Sequence, residues 1–384
     1  MKFELSTYNK IWDSREGRQI VTTILNTPEL INSNHTFWME KFRVDPQITP
    51  TNAEGEAVFI SRMRQIESGM MMDMRAPLGD SVPEDKKGLE YYSGAIPEFI
   101  SKGFVEKATE REYKEKLFEQ FGDASLVAAY ATDVLQSRLD SANQTLSNMA
   151  AQLLSKGQIV YNDGEGIKSN VLKAAVPAKN FLKAGEKVWT DTSAKLLDQI
   201  VKIVSDIKDE IGDNIQLQLE VTKEQFKTCF LTNTQVIEWV RYVNIINNQP
   251  LPEKMVVSRE MAMSALAMFP DLPPIVVVEE KQKDADSTMV HGWKDGVAVL
   301  RPVGYAGYIR RTTIKDTEMF QKYGNSVNSY SFAPALNGIG VVRNSVIVNG
   351  NFKEWHTDLV IAGVPSLDEF LYHYFIDTTT ATHS

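Results

Sequence analysis

The stretch SLVAAYATDVLQSRLDSANQTLSNMAAQLLSKG, from Ser125 to Gly157, decides the fold. It contains no proline, and its one glycine is its last residue. Leu135, Leu139, Ala142, Leu146, Met149 and Leu153 recur at spacings of 4, 3, 4, 3 and 4. That is one apolar stripe on a helix, and Gly157 is a suitable C-terminal cap. Unbroken to Lys156, such a helix is roughly 48 Å long at 1.5 Å per residue. The stripe is too short, and its flanking charges too irregular, for a coiled coil. It is therefore expected to lie across a sheet.

On the C-terminal side, Gln158 to Tyr161 reads as a strand and Asn162 to Gly166 as a hairpin turn. Asp191 or Thr192 is expected to cap a helix whose apolar face is Leu196, Ile200, Ile203, Ile207 and Ile211, with Gly212 ending it. Ile215, Leu217, Leu219 and Val221 alternate with polar residues, the pattern of a half-buried strand. Thr222 to Gln225 has the form of a capping box. Ile275 to Val278 reads as a buried strand behind two prolines. Asp295-Gly296 turns the chain into Val297 to Leu300. Residues 196–300 thus form a compact α/β unit. From Ser329 the pattern is mostly β, with Asn349-Gly350 as a further hairpin signal.

On the N-terminal side, residues 1–57 read as an arm. Arg18 to Leu25 can form a helix that stops before Pro28. Phe37, Trp38 and Phe42 form an aromatic piece with too few apolar neighbours to make its own core. Val58 to Ile60 begins a strand, and Ala95 to Ile100 looks like its return. The long connection between them carries Met70, Met71, Met72, Met74 and Arg75, and later Lys86 and Lys87. Connections of this length usually project for a function, and clustered methionines suit an adaptable contact surface.

The whole chain has 384 residues, 43% hydrophobic and 24% charged, enough for a sizeable core. Its formal charge of -9 gives no general footprint for gripping nucleic acid. No run approaches the ~18 apolar residues of a membrane helix. The start of the chain lacks signal-peptide character, so synthesis in the cytoplasm is expected. Cys229 is alone, which excludes an internal disulfide, and it reads as a small buried hydrophobe.

Catalytic patterns are not found. There is no phosphate loop or nucleophile elbow. The histidines (His35, His291, His356, His373, His383) never stand at the spacing of a helical zinc pair. Asp163-Gly164-Glu165 reads as a turn, and Glu279-Glu280 with Asp284 and Asp286 as a solvated loop. His356 and Asp358 share a face without a nucleophile nearby. Arg310-Arg311 is too short a basic step to bind nucleic acid. Asn34 and Asn143 match a glycosylation pattern by chance. No catalytic, cofactor or metal residue is expected, and the chain reads as a protein that works through its surfaces.

The order of arm, projecting loop, long helix, compact α/β unit and β-rich tail resembles tailed-bacteriophage major capsid proteins of the Hong Kong 97-type coat fold. More narrowly, it resembles the lambda-type capsid protein E family. The carrying residues are Thr27 to Leu30 with Phe37 to Phe42, and Glu56 to Ile60 leading to Met74-Arg75-Ala76-Pro77 and Gly94 to Pro97. Ala151 to Gly157, Val176-Pro177, Val188 to Asp191 running into Leu197 to Ile200, and Phe226 with Thr232 to Val236 continue the match. Gly292 to Val297 and Leu300 to Pro302 complete it.

The resemblance implies an α+β fold in four parts: an N-terminal arm (1–57), an extended β loop (58–104), a peripheral domain and an axial domain. The peripheral domain takes in 105–190 and 321–365 with a spine helix at 125–156. The axial domain takes in 191–320 and 366–384. It further implies a virion protein, without enzyme activity, that self-assembles as hexamers and pentamers into an icosahedral shell around double-stranded DNA. A separate scaffolding protein, a portal and a possible decoration protein are the expected partners. Phe37, Trp38, Phe42, Met70, Met71, Met72, Met74, Arg75, Lys86 and Lys87 are the expected contacts between subunits. Two other readings are an encapsulin-like nanocompartment shell and a cytosolic α/β enzyme with a lid at 61–94.

Overall fold

A computed structural model describes residues 36–52, 56–64, 89–101, 104–106, 124–162, 169–212, 214–247, 256–283, 289–314, 330–349 and 352–382. Its main helices are α1 (Phe37–Lys41), α2 (Ala124–Lys156), α3 (Leu196–Ile211), α4 (Thr234–Ile246) and α5 (Arg259–Leu266). The helix expected from the apolar stripe is α2. All six stripe residues are buried, and Leu146 and Leu153 have no exposed surface at all. Gly157 ends the helix at φ 66°, a left-handed conformation that glycine adopts without penalty.

The surface under α2 is a seven-stranded sheet. Its main path comprises β1 (Phe42–Thr49), β14 (Gly307–Thr312), β17 (Phe352–Leu367), β16 (Gly340–Asn349) and β15 (Tyr330–Ala335). Two short strands, β4 (Glu98–Ile100) and β5 (Phe104–Glu106), also pair with β17. Asn349 pairs with Phe352, so the hairpin signalled by Asn349-Gly350 joins β16 to β17. The sheet and α2 enclose one core, which includes Ile309, Leu359, Ile361 and Val364.

The arm strand β1 belongs to this sheet in parallel pairing with β14. Gly307, opposite Phe42, lies so close to the next strand that an added Cβ would meet the Ser366 carbonyl oxygen at 1.9 Å. Phe37, Trp38 and Phe42 are 7%, 2% and 1% exposed within the chain's own core. Their apolar surface is covered within the chain itself. The surface they needed is supplied by α2, where the Trp38 indole N–H donates to Asn143 Oδ1 at 2.9 Å. Asn143 is itself fully buried, so it offers no glycosylation site.

The second sheet has the order β10 (Ile275–Val278), β9 (Leu217–Thr222), β13 (Val297–Pro302), β18 (Tyr374–Asp377) and β8 (Phe181–Lys183). Residues on alternate sides of a strand face opposite layers. Ala298, Leu300, Leu217, Leu219, Val221 and Ile376 pack with α3, α4 and α5. Val297, Val299 and Phe375 join the core around α2. β9 is therefore buried on both faces, where the alternating pattern predicts one solvated face. β10 is a half-buried edge strand, where a buried one is expected. β14 lies in the first sheet and β8 in the second.

Helix α3 begins at Leu196, with Lys195 at its N-cap and no side-chain cap. The expected capper Asp191 instead accepts from the backbone N–H and hydroxyl of Ser193, closing a local turn. The Leu197 N–H is satisfied from another element, by Gln235 Oε1 at 2.8 Å. The capping box at Thr222 and Gln225 forms as the sequence predicts.

Leu146 sits at the centre of the α2 stripe. Leu146→Ala is expected to lower the unfolding free energy by about 2–5 kcal/mol, as read from denaturant titration. A loss below about 0.5 kcal/mol would contradict the packing described.

Candidate assembly surface

Outside the two sheets the described strands form three antiparallel pairs, one of them β11 (Gln282–Lys283) with β12 (Met289–Val290). β6 (Gln158–Asn162) pairs with β7 (Ser169–Lys173), and β2 (Val58–Arg64) with β3 (Leu89–Ala95). In the β2–β3 pair Val58 stands opposite Ala95, Ile60 opposite Ser93 and Arg62 opposite Tyr91. The two faces then differ sharply. Phe59, Ser61 and Tyr92 are buried, whereas Val58, Ile60 and Tyr91 are 43%, 49% and 65% exposed.

The buried face is fastened to the strand that leaves the first sheet. The Tyr92 hydroxyl donates to the Leu367 carbonyl at 3.0 Å and accepts from the Leu367 N–H at 2.6 Å. Ser61 Oγ donates to the same carbonyl and to Asp368 Oδ1 at 3.0 and 3.1 Å. The Tyr92 ring meets Phe59 and Phe370 edge-on, at centroid distances of 5.9 and 5.2 Å. Burial drives the Tyr92 phenol pKa well above its ordinary range, so it remains a neutral donor.

Arg310 continues the same fastening. Its guanidinium bridges Asp45 Oδ2 at 2.7 Å and Asp368 Oδ1 at 2.8 Å, and also donates to Ser366 Oγ. Burial nevertheless keeps the Asp368 carboxyl above the usual aspartate range, with Arg310 opposing the shift. Arg311 donates to the carbonyls of Asp45, Pro46 and Asn337. The basic step at 310–311 thus holds the arm strand in register.

Of the polar groups singled out in the sequence, Glu279, Glu280 and Asp358 have internal partners, while Asn34, His35, Asp163, Glu165, Asp284, Asp286 and His383 lie outside the described residues. Glu280 does not lie in a solvated loop. It is buried and accepts from the backbone N–H groups of Gly292 and Trp293, and burial raises its pKa. That contact presses the loop onto α2, where Lys294 N donates to Ser155 Oγ at 2.8 Å. Its neighbour Glu279 pairs with Arg259 and Lys223 at the surface. Asp358 takes a two-pronged bond from Arg343. Cys229 is buried, and burial raises its thiol pKa, the opposite of nucleophile activation. Among the described residues no group of three or more His, Cys, Asp or Glu could hold a metal ion.

One polar cluster had no signal in the sequence. Glu220 on β9 is completely buried, and its Oε1 accepts from Lys41 Nζ at 2.7 Å, Gln218 Nε2 at 2.8 Å and Arg301 Nη2 at 2.8 Å. Burial works against the charge, but Arg301 and Lys41 more than offset it and hold the carboxyl below the usual glutamate range. His373 lies nearby, buried, with Nε2 donating to the Leu154 carbonyl at 2.7 Å. Burial lowers its pKa to about 4.

Of the expected contact residues, Met70, Met71, Met72, Met74, Arg75, Lys86 and Lys87 lie outside the described residues. The uncovered apolar face formed by Val58, Ile60 and Tyr91 is the surface that sequence reasoning missed. Its signal was the β2–β3 alternation, with apolar residues on both sides of one hairpin. No described helix is long and apolar enough to cross a membrane.

Tyr92→Phe removes the acceptor for the Leu367 N–H and should cost about 1–3 kcal/mol in denaturant unfolding. A change near zero would show that this fastening contributes nothing. His373 binds a proton more weakly folded, at about 4, than unfolded, at 6.5. Between those values the unfolded chain holds more protons, so stability falls as pH drops through this window, by on the order of 3 kcal/mol. His373→Gln should flatten that part of the pH–stability curve, and an unchanged slope would contradict the assignment.

No protein-family model matches the chain, and no curated protein matches its sequence. Solved structures do align along most of it. A phage-related protein from Bordetella bronchiseptica RB50 is 14% identical, covering 94% of this chain and 96% of that one, with a TM-score of 0.47. The capsid of cyanophage A-1(L) is 11% identical over 92% and 95% of the two chains, with a TM-score of 0.46. The capsid of Ralstonia phage GP4 is 11% identical over 91% and 92%, with a TM-score of 0.41.

Proposed function

We propose that this chain is the structural subunit of an icosahedral phage shell, assembling as hexamers and pentamers around double-stranded DNA. The observation that carries the reading is the β2–β3 hairpin. It is fixed to the chain on one face, pairs with no other described strand, and leaves Val58, Ile60 and Tyr91 uncovered on the other. An apolar face on a firmly rooted hairpin is suited to lie on a second copy of the chain.

Three further features support this role. A long helix against a sheet provides the rigid body that a shell subunit needs. Glu280, Asp358 and Arg310 are engaged in holding loops and strands together, so the reading is structural rather than enzymatic. The net charge of -9 lets a shell enclose nucleic acid without adhering to it along its whole surface. In this account the protein resides in the virion. A separate scaffolding protein, a portal and a decoration protein would be its partners, and the loop bearing Met70 to Arg75 and Lys86-Lys87 would extend the hairpin contact.

The double variant Ile60→Asp, Tyr91→Asp alters the uncovered face alone. Its folding stability should stay within about 0.5 kcal/mol of the parent, as for other surface changes. Sedimentation velocity should show large closed particles for the parent and only small species for the variant. Equal assembly of both would contradict the proposal.

A further inference from the structure

The Lys41–Glu220–Arg301 cluster lies where two layers of the molecule meet. Glu220 and Arg301 stand on neighbouring strands of the second sheet, on its face toward α2, while Lys41 is the last residue of α1. Their side chains are 0%, 2% and 8% exposed. A buried ion pair is weak evidence for stability, because desolvation offsets most of the attraction. An apolar contact such as Val297 and Val299 make with the same core would serve cohesion as well. What a charged cluster adds is a defined position.

The members are not equivalent. Glu220, Arg301 and Gln218 belong to the same sheet and bond to one another without Lys41. If Lys41 withdraws, Glu220 still has an opposite charge and a hydrogen bond, so no lone carboxylate is left buried. Lys41 can therefore leave at far lower cost than Arg301.

Besides the apolar packing of Val297, Val299 and Phe375 against α2, the hydrogen bonds that tie α2 to the second layer lie elsewhere. At its C-terminal end α2 is tied to the second sheet's connections through the Leu154 carbonyl to His373 and Ser155 Oγ to Lys294 N. The arm root meets α2 at Asn143, eleven residues earlier, or roughly 16 Å along the helix at its standard rise. One end of α2 is thus a fixed point, and the arm root is the far end of a lever. Three chain segments join strands of the first sheet to strands of the second: 303–306, 368–373, and 107–180, which carries α2 itself and reaches β8 from the C-terminal end of that helix.

We propose that Lys41 and Glu220 form a releasable latch that sets the angle between two bodies, the first sheet with α1 and α2 and the second sheet with α3 to α5. With the latch open, the bodies turn about the C-terminal end of α2 while each keeps its internal structure. This inference rests on intramolecular geometry alone and stands or falls apart from the shell reading.

The test places spin labels at Ser137→Cys on α2 and Asp206→Cys on α3, both exposed, in the full chain with buried Cys229 left in place. Pulsed electron resonance gives the distance distribution, and hydrogen exchange gives the protection of each sheet. The parent should show one narrow distance. Lys41→Met should add a second distance population while amides of both sheets keep their protection, and Lys41→Arg should restore the single distance. An unchanged distribution in Lys41→Met would overturn the proposal. So would a general loss of protection in that variant, because Lys41 would then support the fold as a whole.

Discussion

A 33-residue helix with an apolar stripe down one side needs a surface about as long as itself, roughly 50 Å at helical rise. The 16 residues of β17, at about 3.3 Å each, span a similar length, and α2 packs along this strand. That match organises the rest of the first layer. β17 is long enough to pair with β14, β16, β4 and β5 at different points along its course. The arm strand then joins through β14, and the hairpin is fastened where β17 ends.

The helix was legible because its stripe is a purely local pattern, and so were the Thr222–Gln225 capping box and the Asn349-Gly350 hairpin. The failures are all cases in which a distant partner decided the outcome. Glu220 reads as a solvent-facing residue of an alternating strand, because its neutralising partners are 179 and 81 positions away. The aromatics of the arm look unpaired for the same reason: their surface is a helix about a hundred residues later. Asp191 is a sound helix capper by type, yet a turn through Ser193 claims it first. Arg310-Arg311 looked like a minor basic step, and only pairing of β1 with β14 reveals what it grips.

These corrections move the weight of the functional argument. Phe37, Trp38 and Phe42 build the subunit itself, and their burial makes the arm root part of a rigid body. The surface left without a partner is the outer face of the β2–β3 hairpin, whose inner face has neutral Tyr92, Ser61 and aromatic rings against β17. Firm anchorage on one side and apolar exposure on the other are the two properties that an assembly contact requires. A loosely held hairpin would spend much of its binding energy on becoming ordered.

Electron microscopy of the expressed full chain, alone and together with the scaffolding protein that this account proposes, tests it most directly. Closed shells of uniform size, with the Val58–Ile60–Tyr91 face covered by a neighbouring copy in the reconstructed map, are the predicted result. A monodisperse monomer that persists under both conditions would contradict it, as would shells in which that face remains open to solvent.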